Sequence, residues 1–154
     1  MAVRATRSEW RWHGTAVLAV LAVAAQLWGL YRVTGPASPP WFPQVDKLQH
    51  GLGFAAPVAL VLLALGLRRL HRGRRPSRRA LVVVVALFAA HGVLSEVVQH
   101  TLYTGRTGDP IDVLADWTGV ADGALAGVTL LGRATRRAAV PVDAAAEPSP
   151  AGAS

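Results

Sequence analysis

The residues able to do chemistry collect in two short stretches of an otherwise apolar chain. DKLQH supplies Asp46, Lys47 and His50. The stretch from His91 to Gly127 supplies Glu96, Gln99, His100, Arg106, Asp109, Asp112 and Asp116. An imidazole among carboxylates can move protons or hold a divalent cation. A lysine and an arginine among carboxylates can instead recognise a phosphate or carboxylate, with the acids orienting the cations. The sequence has no cysteine, which excludes disulfides, thiolate nucleophiles and thiolate metal sites. It also has no HExxH pattern and no serine nucleophile elbow, and Ser95 beside Glu96 lacks a clear His–Asp relay.

Helices in a bilayer must position these groups. Apolar residues make up 52% of the chain and charged ones only 16%, in clusters separated by long uncharged runs, the pattern of an integral membrane protein. Gly14 to Val33 is the first run, interrupted only by Gln26. It is too long for the apolar core of a signal peptide, roughly 7–15 residues, and predicts an uncleaved anchor. Prolines and the aromatics Trp41 and Phe42 fill residues 34–45. A second span runs from Asp46 to Leu67 through Pro57, a third from Ala80 to Thr101, and a fourth from Asp109-Pro110 to Leu131. Asp109 followed by proline is a helix start: a capping side chain, then a residue whose missing N–H costs nothing there. Asp46 reads as a cap for the second helix in the same way. Residues 138–154, rich in Ala, Pro and Ser, predict a disordered tail after a single membrane domain over residues 1–137.

Topology follows from the basic residues. Thirteen of the sixteen Lys and Arg lie before the first span, between the second and third, or after the fourth; only Arg32, Lys47 and Arg106 lie on the other side. The positive-inside rule then predicts both termini in the cytoplasm. The seven arginines of RRLHRGRRPSRR are a topological anchor between spans, so the net charge of +7 does not predict a nucleic-acid partner. Lipid offers no partner to a free amide, so the spans are expected to be α-helices: an all-α bundle of four transmembrane helices in the cell membrane. Gly119, Gly123 and Gly127 recur at a spacing that lets a neighbouring helix approach closely, within this bundle rather than across a dimer seam.

The polar groups lie at one end of this bundle. Asp46 and His50 are one turn apart on one face, as are Asp112 and Asp116 with Gly119 and Gly123, and Ser95 with Gln99. The other half of the bundle is almost wholly apolar, which suits a cavity open to the outside and not a through-channel. DKLQHGLGF (46–54), SEVVQ (95–99), Arg106 and DVLADWTG (112–119), in this order, resemble the VanZ-like membrane proteins over roughly residues 41–131. The resemblance singles out Asp46, Lys47, His50, Glu96, Gln99, Arg106, Asp112 and Gly119. One departure is that Asp116 stands where the family has an Asn, which adds a negative charge. The family takes its name from a protein of low-level teicoplanin resistance, so the resemblance implies an envelope-linked role and no particular reaction.

Three functions are open to these residues. Lys47 and Arg106 can bind a lipid-linked or peptide envelope ligand through its phosphate or carboxylate. His50, Glu96 and Asp116 can serve a membrane enzyme as acid–base groups or metal ligands. The network can also be structural, fixing helix register in a partner protein. The simplest expectation assigns Asp46, Lys47, His50, Glu96, Gln99, Arg106, Asp112 and Asp116 to ligand binding or a polar network, with no cofactor and no resident metal. Glu96, a turn inside the third span, requires a partner, and Arg106 is the expected one, in a Glu96–Arg106–Asp112 network. Deep in the fourth span, Asp122 is expected to face inward and pair with His91, near Gln26.

Overall fold

The computed structural model describes residues 7–32, 44–103 and 109–139. They form four helices: α1 (Arg7–Tyr31), α2 (Val45–His71), α3 (Arg78–Leu102) and α4 (Pro110–Ala139). The all-α class expected from the sequence is therefore met. Three segments, Glu9–Tyr31, Val45–His71 and Arg78–Leu102, are long and apolar enough to cross a membrane, pointing to a multi-pass membrane protein. Helix α4 is not among them; Asp112, Asp116 and Asp122 lower the mean hydropathy of the segment. Of the disordered tail expected over residues 138–154, residues 138 and 139 belong to α4, and the rest lie outside the described residues.

The helix ends follow local chemistry. Helix α1 begins within the basic segment, ahead of Gly14, and α4 continues through Arg133 to Ala139, because charged and straight-chain residues extend a helix as readily as apolar ones. Ser77 caps α3 by accepting from the Ala80 N–H at 3.3 Å. At the end of α2, Gly73 takes a positive φ of 66°. Its N–H reaches the Leu70 carbonyl at 2.9 Å and the Arg74 N–H reaches Arg69 at 2.8 Å, the paired bonds of a Schellman turn. Asp109 caps α4 as expected, its Oδ1 accepting from the Ile111 N–H at 2.9 Å. Asp46 is not a cap: Gln44 occupies that position on α2, without a side-chain bond, and Asp46 lies inside the first turn.

Helix α2 is the hub, packing most extensively on α4 and also on α1 and α3. The α2–α4 contact is backbone against backbone. A Cβ placed on Gly119 would collide with the Gly51 carbonyl, one on Gly123 with Ala55, and one on Gly127 would crowd Leu62 and Ala59 at 3.1 and 3.2 Å. The glycine stripe thus serves packing within the bundle. Beside it lies an apolar core of Leu30, Phe54, Val58, Leu62, Val84 and Val120. Phe54 meets Phe88 edge to face at 6.4 Å. The outer faces carry exposed apolar side chains such as Leu18, Leu21, Val82, Leu87 and Leu125, the surface a bilayer would cover.

Asp122 departs from expectation. It is exposed on the outer face of α4, while the next residue, Gly123, faces α2. The partner intended for it, His91, hydrogen-bonds instead through Nε2 to the Tyr31 hydroxyl at 3.1 Å. The glycine stripe fixes the rotation of α4, and Asp122 lies off that stripe by the ~100° step of one residue.

Candidate functional site

The first turns of α2, the last turns of α3 and the first turns of α4 meet at one end of the bundle. Lys47 sits between three carboxylates: its Nζ lies 3.3 Å from Asp46 Oδ2, 2.7 Å from Asp109 Oδ2 and 2.5 Å from Asp112 Oδ1. This clamp ties the start of α2 to the start of α4. The hydrogen bond from Lys47, reinforced by the Ile111 N–H, holds the Asp109 carboxyl below its ordinary range. Its ammonium is thus engaged by three acids, where sequence reasoning had offered it to a ligand phosphate or carboxylate.

One turn deeper, His50 Nδ1 lies 2.9 Å from Asp116 Oδ1. Asp116 is fully buried and Glu96 is 6% exposed. Glu96 Oε2 accepts from the Asp109 backbone N–H at 3.0 Å, joining the end of α3 to the cap of α4. Among the described residues Glu96 meets the Asp109 backbone and Asp112 meets Lys47; the expected Glu96–Arg106–Asp112 network turns on a residue outside them. Arg106 itself lies outside the described residues. Two carboxylate oxygens in this layer, Glu96 Oε1 and Asp116 Oδ2, are buried without a hydrogen-bond partner among the described residues.

The end of α1 is fastened to α3. Gln99 Nε2 donates to the Leu30 carbonyl at 3.2 Å and the Tyr103 hydroxyl to the Tyr31 carbonyl at 2.7 Å. Gln99 is therefore a positioning residue, and Ser95 is turned back onto the Gly92 carbonyl at 2.8 Å. Sequence reasoning missed the tyrosines, since no spacing signals that their hydroxyls cross between helices.

Between α1 and α2, beside the polar cluster, lies a groove of about 450 Å³. Small or apolar residues line most of it, among them Ala22, Ala25, Gly53 and Ala56, with Asp46, His50, Arg32 and Gln26 as its polar members. Gln26 is 5% exposed, yet neither its amide oxygen nor its nitrogen has a partner among the described residues; the same holds for Arg32 Nε and Asp46 Oδ1. A buried primary amide ordinarily makes hydrogen bonds. An apolar groove with a few unsatisfied polar groups has the composition of a ligand site. Asp46 and His50, expected on one face, both line it. Seven of the eight site residues expected from sequence thus gather at this end; the eighth, Arg106, is the one not described. No family model, curated protein or solved structure matches the chain.

Proposed function

We propose that this chain is a VanZ-like membrane protein of four spans with both termini cytoplasmic. In this reading its polar end faces outward and, with the α1–α2 groove, binds an amphiphilic, lipid-linked component of the cell envelope. A link to glycopeptide resistance follows from the family resemblance alone. The observation that carries the binding reading is the groove itself: apolar along Ala22, Ala25 and Ala56, and ending at the unsatisfied Gln26 amide, Arg32 and His50. A lipid tail fits the apolar part, and an anionic head group finds Arg32, whose guanidinium has five donors, at the polar end. Lys47, bound by three acids, orients this end without reading the ligand.

The helices support the same arrangement. Helix α4 is the fourth span in this reading because it packs along α2 through the glycine stripe and so runs beside a candidate membrane segment. Topology is tested by single-cysteine labelling in intact cells, which the absence of native cysteine makes clean. Cysteine at Ser38 or Thr104 is expected to react with an impermeant thiol reagent and cysteine at Ser77 to stay unlabelled; labelling at Ser77 would invert the protein. Ligand binding is tested by native mass spectrometry of the purified chain, which is expected to retain one discrete amphiphile. A catalytic reading has one support, the His50–Asp116 pair beside Glu96, and requires turnover of that amphiphile, abolished by Glu96→Gln.

A further inference from the structure

His50, Glu96 and Asp116, for which the simplest sequence expectation was a polar network without a metal, come together in one layer. One ligand-type atom from each residue lies within 4.8 Å of the other two. Two ligands of one ion, with bonds of ~2.1 Å, lie ~3–4 Å apart, so the trio is within about an ångström of that spacing. His50 Nδ1 and Asp116 Oδ1, hydrogen-bonded at 2.9 Å, lie just under the lower end of that spacing. Each residue comes from a different helix, α2, α3 and α4, so the geometry is set by the bundle and not by one flexible segment. Gly92 leaves room for it: a Cβ there would sit 3.1 Å from Asp116 Oδ2.

Charge points the same way. Ionised carboxylates are acceptors only, and the two orphan oxygens, Glu96 Oε1 and Asp116 Oδ2, belong to side chains 94% or more buried. No lysine or arginine among the described residues pairs with either, since Lys47 is held by Asp46, Asp109 and Asp112. Two buried acids, each with one oxygen unpartnered among the described residues, are costly unless a proton or a cation joins them. One imidazole with two carboxylates suits zinc or manganese better than magnesium or calcium, which prefer oxygen alone. We propose that His50, Glu96 and Asp116 bind one divalent transition-metal ion of the zinc or manganese class. Because His50 also lines the α1–α2 groove, the ion lies where a head-group phosphate or carboxylate can complete its coordination. The metal site itself does not depend on any envelope ligand.

The full chain is purified in detergent, stripped with EDTA and dialysed against Zn²⁺ or Mn²⁺ in separate arms with excess Mg²⁺. Metal content is read by plasma mass spectrometry and folding by thermal unfolding. One equivalent of Zn²⁺ or Mn²⁺ is expected, with a rise in Tm that Mg²⁺ alone does not give. His50→Gln and Glu96→Gln are expected to lose at least about tenfold in uptake. Asp122→Asn, on the outer face, is expected to bind as the unaltered chain does. In EDTA, Glu96→Gln should melt at or above the unaltered chain, since it removes an uncompensated buried charge. A metal-free unaltered chain would overturn the proposal and favour a proton or the Arg106 guanidinium as the occupant. Undiminished uptake by folded His50→Gln and Glu96→Gln would overturn it as well, as would a Glu96→Gln that melts lower in EDTA.

Discussion

Gly119→Val is expected to destabilise the bundle by about 3 kcal/mol or more, at or above the upper end of usual overpacking costs. The added side chain meets the backbone of Gly51 on α2, and backbone cannot rotate away as a flexible side chain can. The two helices must separate along the whole Gly119–Gly127 stripe, which also opens the His50–Asp116 layer above it. Gly14→Ala is the control: nothing lies within 4 Å of a Cβ there, and the change favours helix by up to about 1 kcal/mol. Thermal unfolding in detergent decides the matter. Equal melting of Gly119→Val and the unaltered chain would mean that α4 does not pack on α2 in this register.

Lys47→Met is expected to cost about 2–3 kcal/mol, below the 3–5 typical of breaking a fully buried pair. The discount reflects solvent, because the Lys47 side chain is 25% exposed and those of Asp46 and Asp109 are 49% and 37% exposed. Without the ammonium, three carboxylates repel one another at the junction of α2 and α4. Combining Lys47→Met with Asp112→Asn is therefore expected to cost less than the sum of the two single changes, because the neutral amide relieves that repulsion. Additive losses in this cycle would show that the clamp is not a coupled unit.

Much of this was legible in the sequence because lipid leaves few choices. A run such as ALVVVVALFAA has only helix open to it, and the Asp-Pro pair at 109–110 marks a helix start from local chemistry alone. The meeting of His50, Glu96 and Asp116 was also legible, since each lies near the same end of its helix. Pairing was not. Which carboxylates Lys47 takes depends on rotations set by the Gly119–Gly51 contact, so its clamp on Asp46, Asp109 and Asp112 left no trace in the spacing. Helix rotation also misled at Asp122, whose position along the helix was readable from spacing but whose facing was not. Arg32 and Gln26 looked like a flank and an interruption of a span, because a groove between two helices leaves no periodic trace in either.

Occupation of the α1–α2 groove by an amphiphile is the proposal on which the ligand-binding function rests. It can be tested by filling the groove without disturbing the fold. Gly29 and Gly53 both line it, and nothing lies within 4 Å of a Cβ on either. Native mass spectrometry of the full chain is compared with that of Gly29→Leu and Gly53→Leu, with Tm measured on each. The account predicts that the unaltered chain retains one discrete amphiphile and that both variants melt unchanged and lose it. Retention of the same species by both variants, or no retained amphiphile on the unaltered chain, would contradict it.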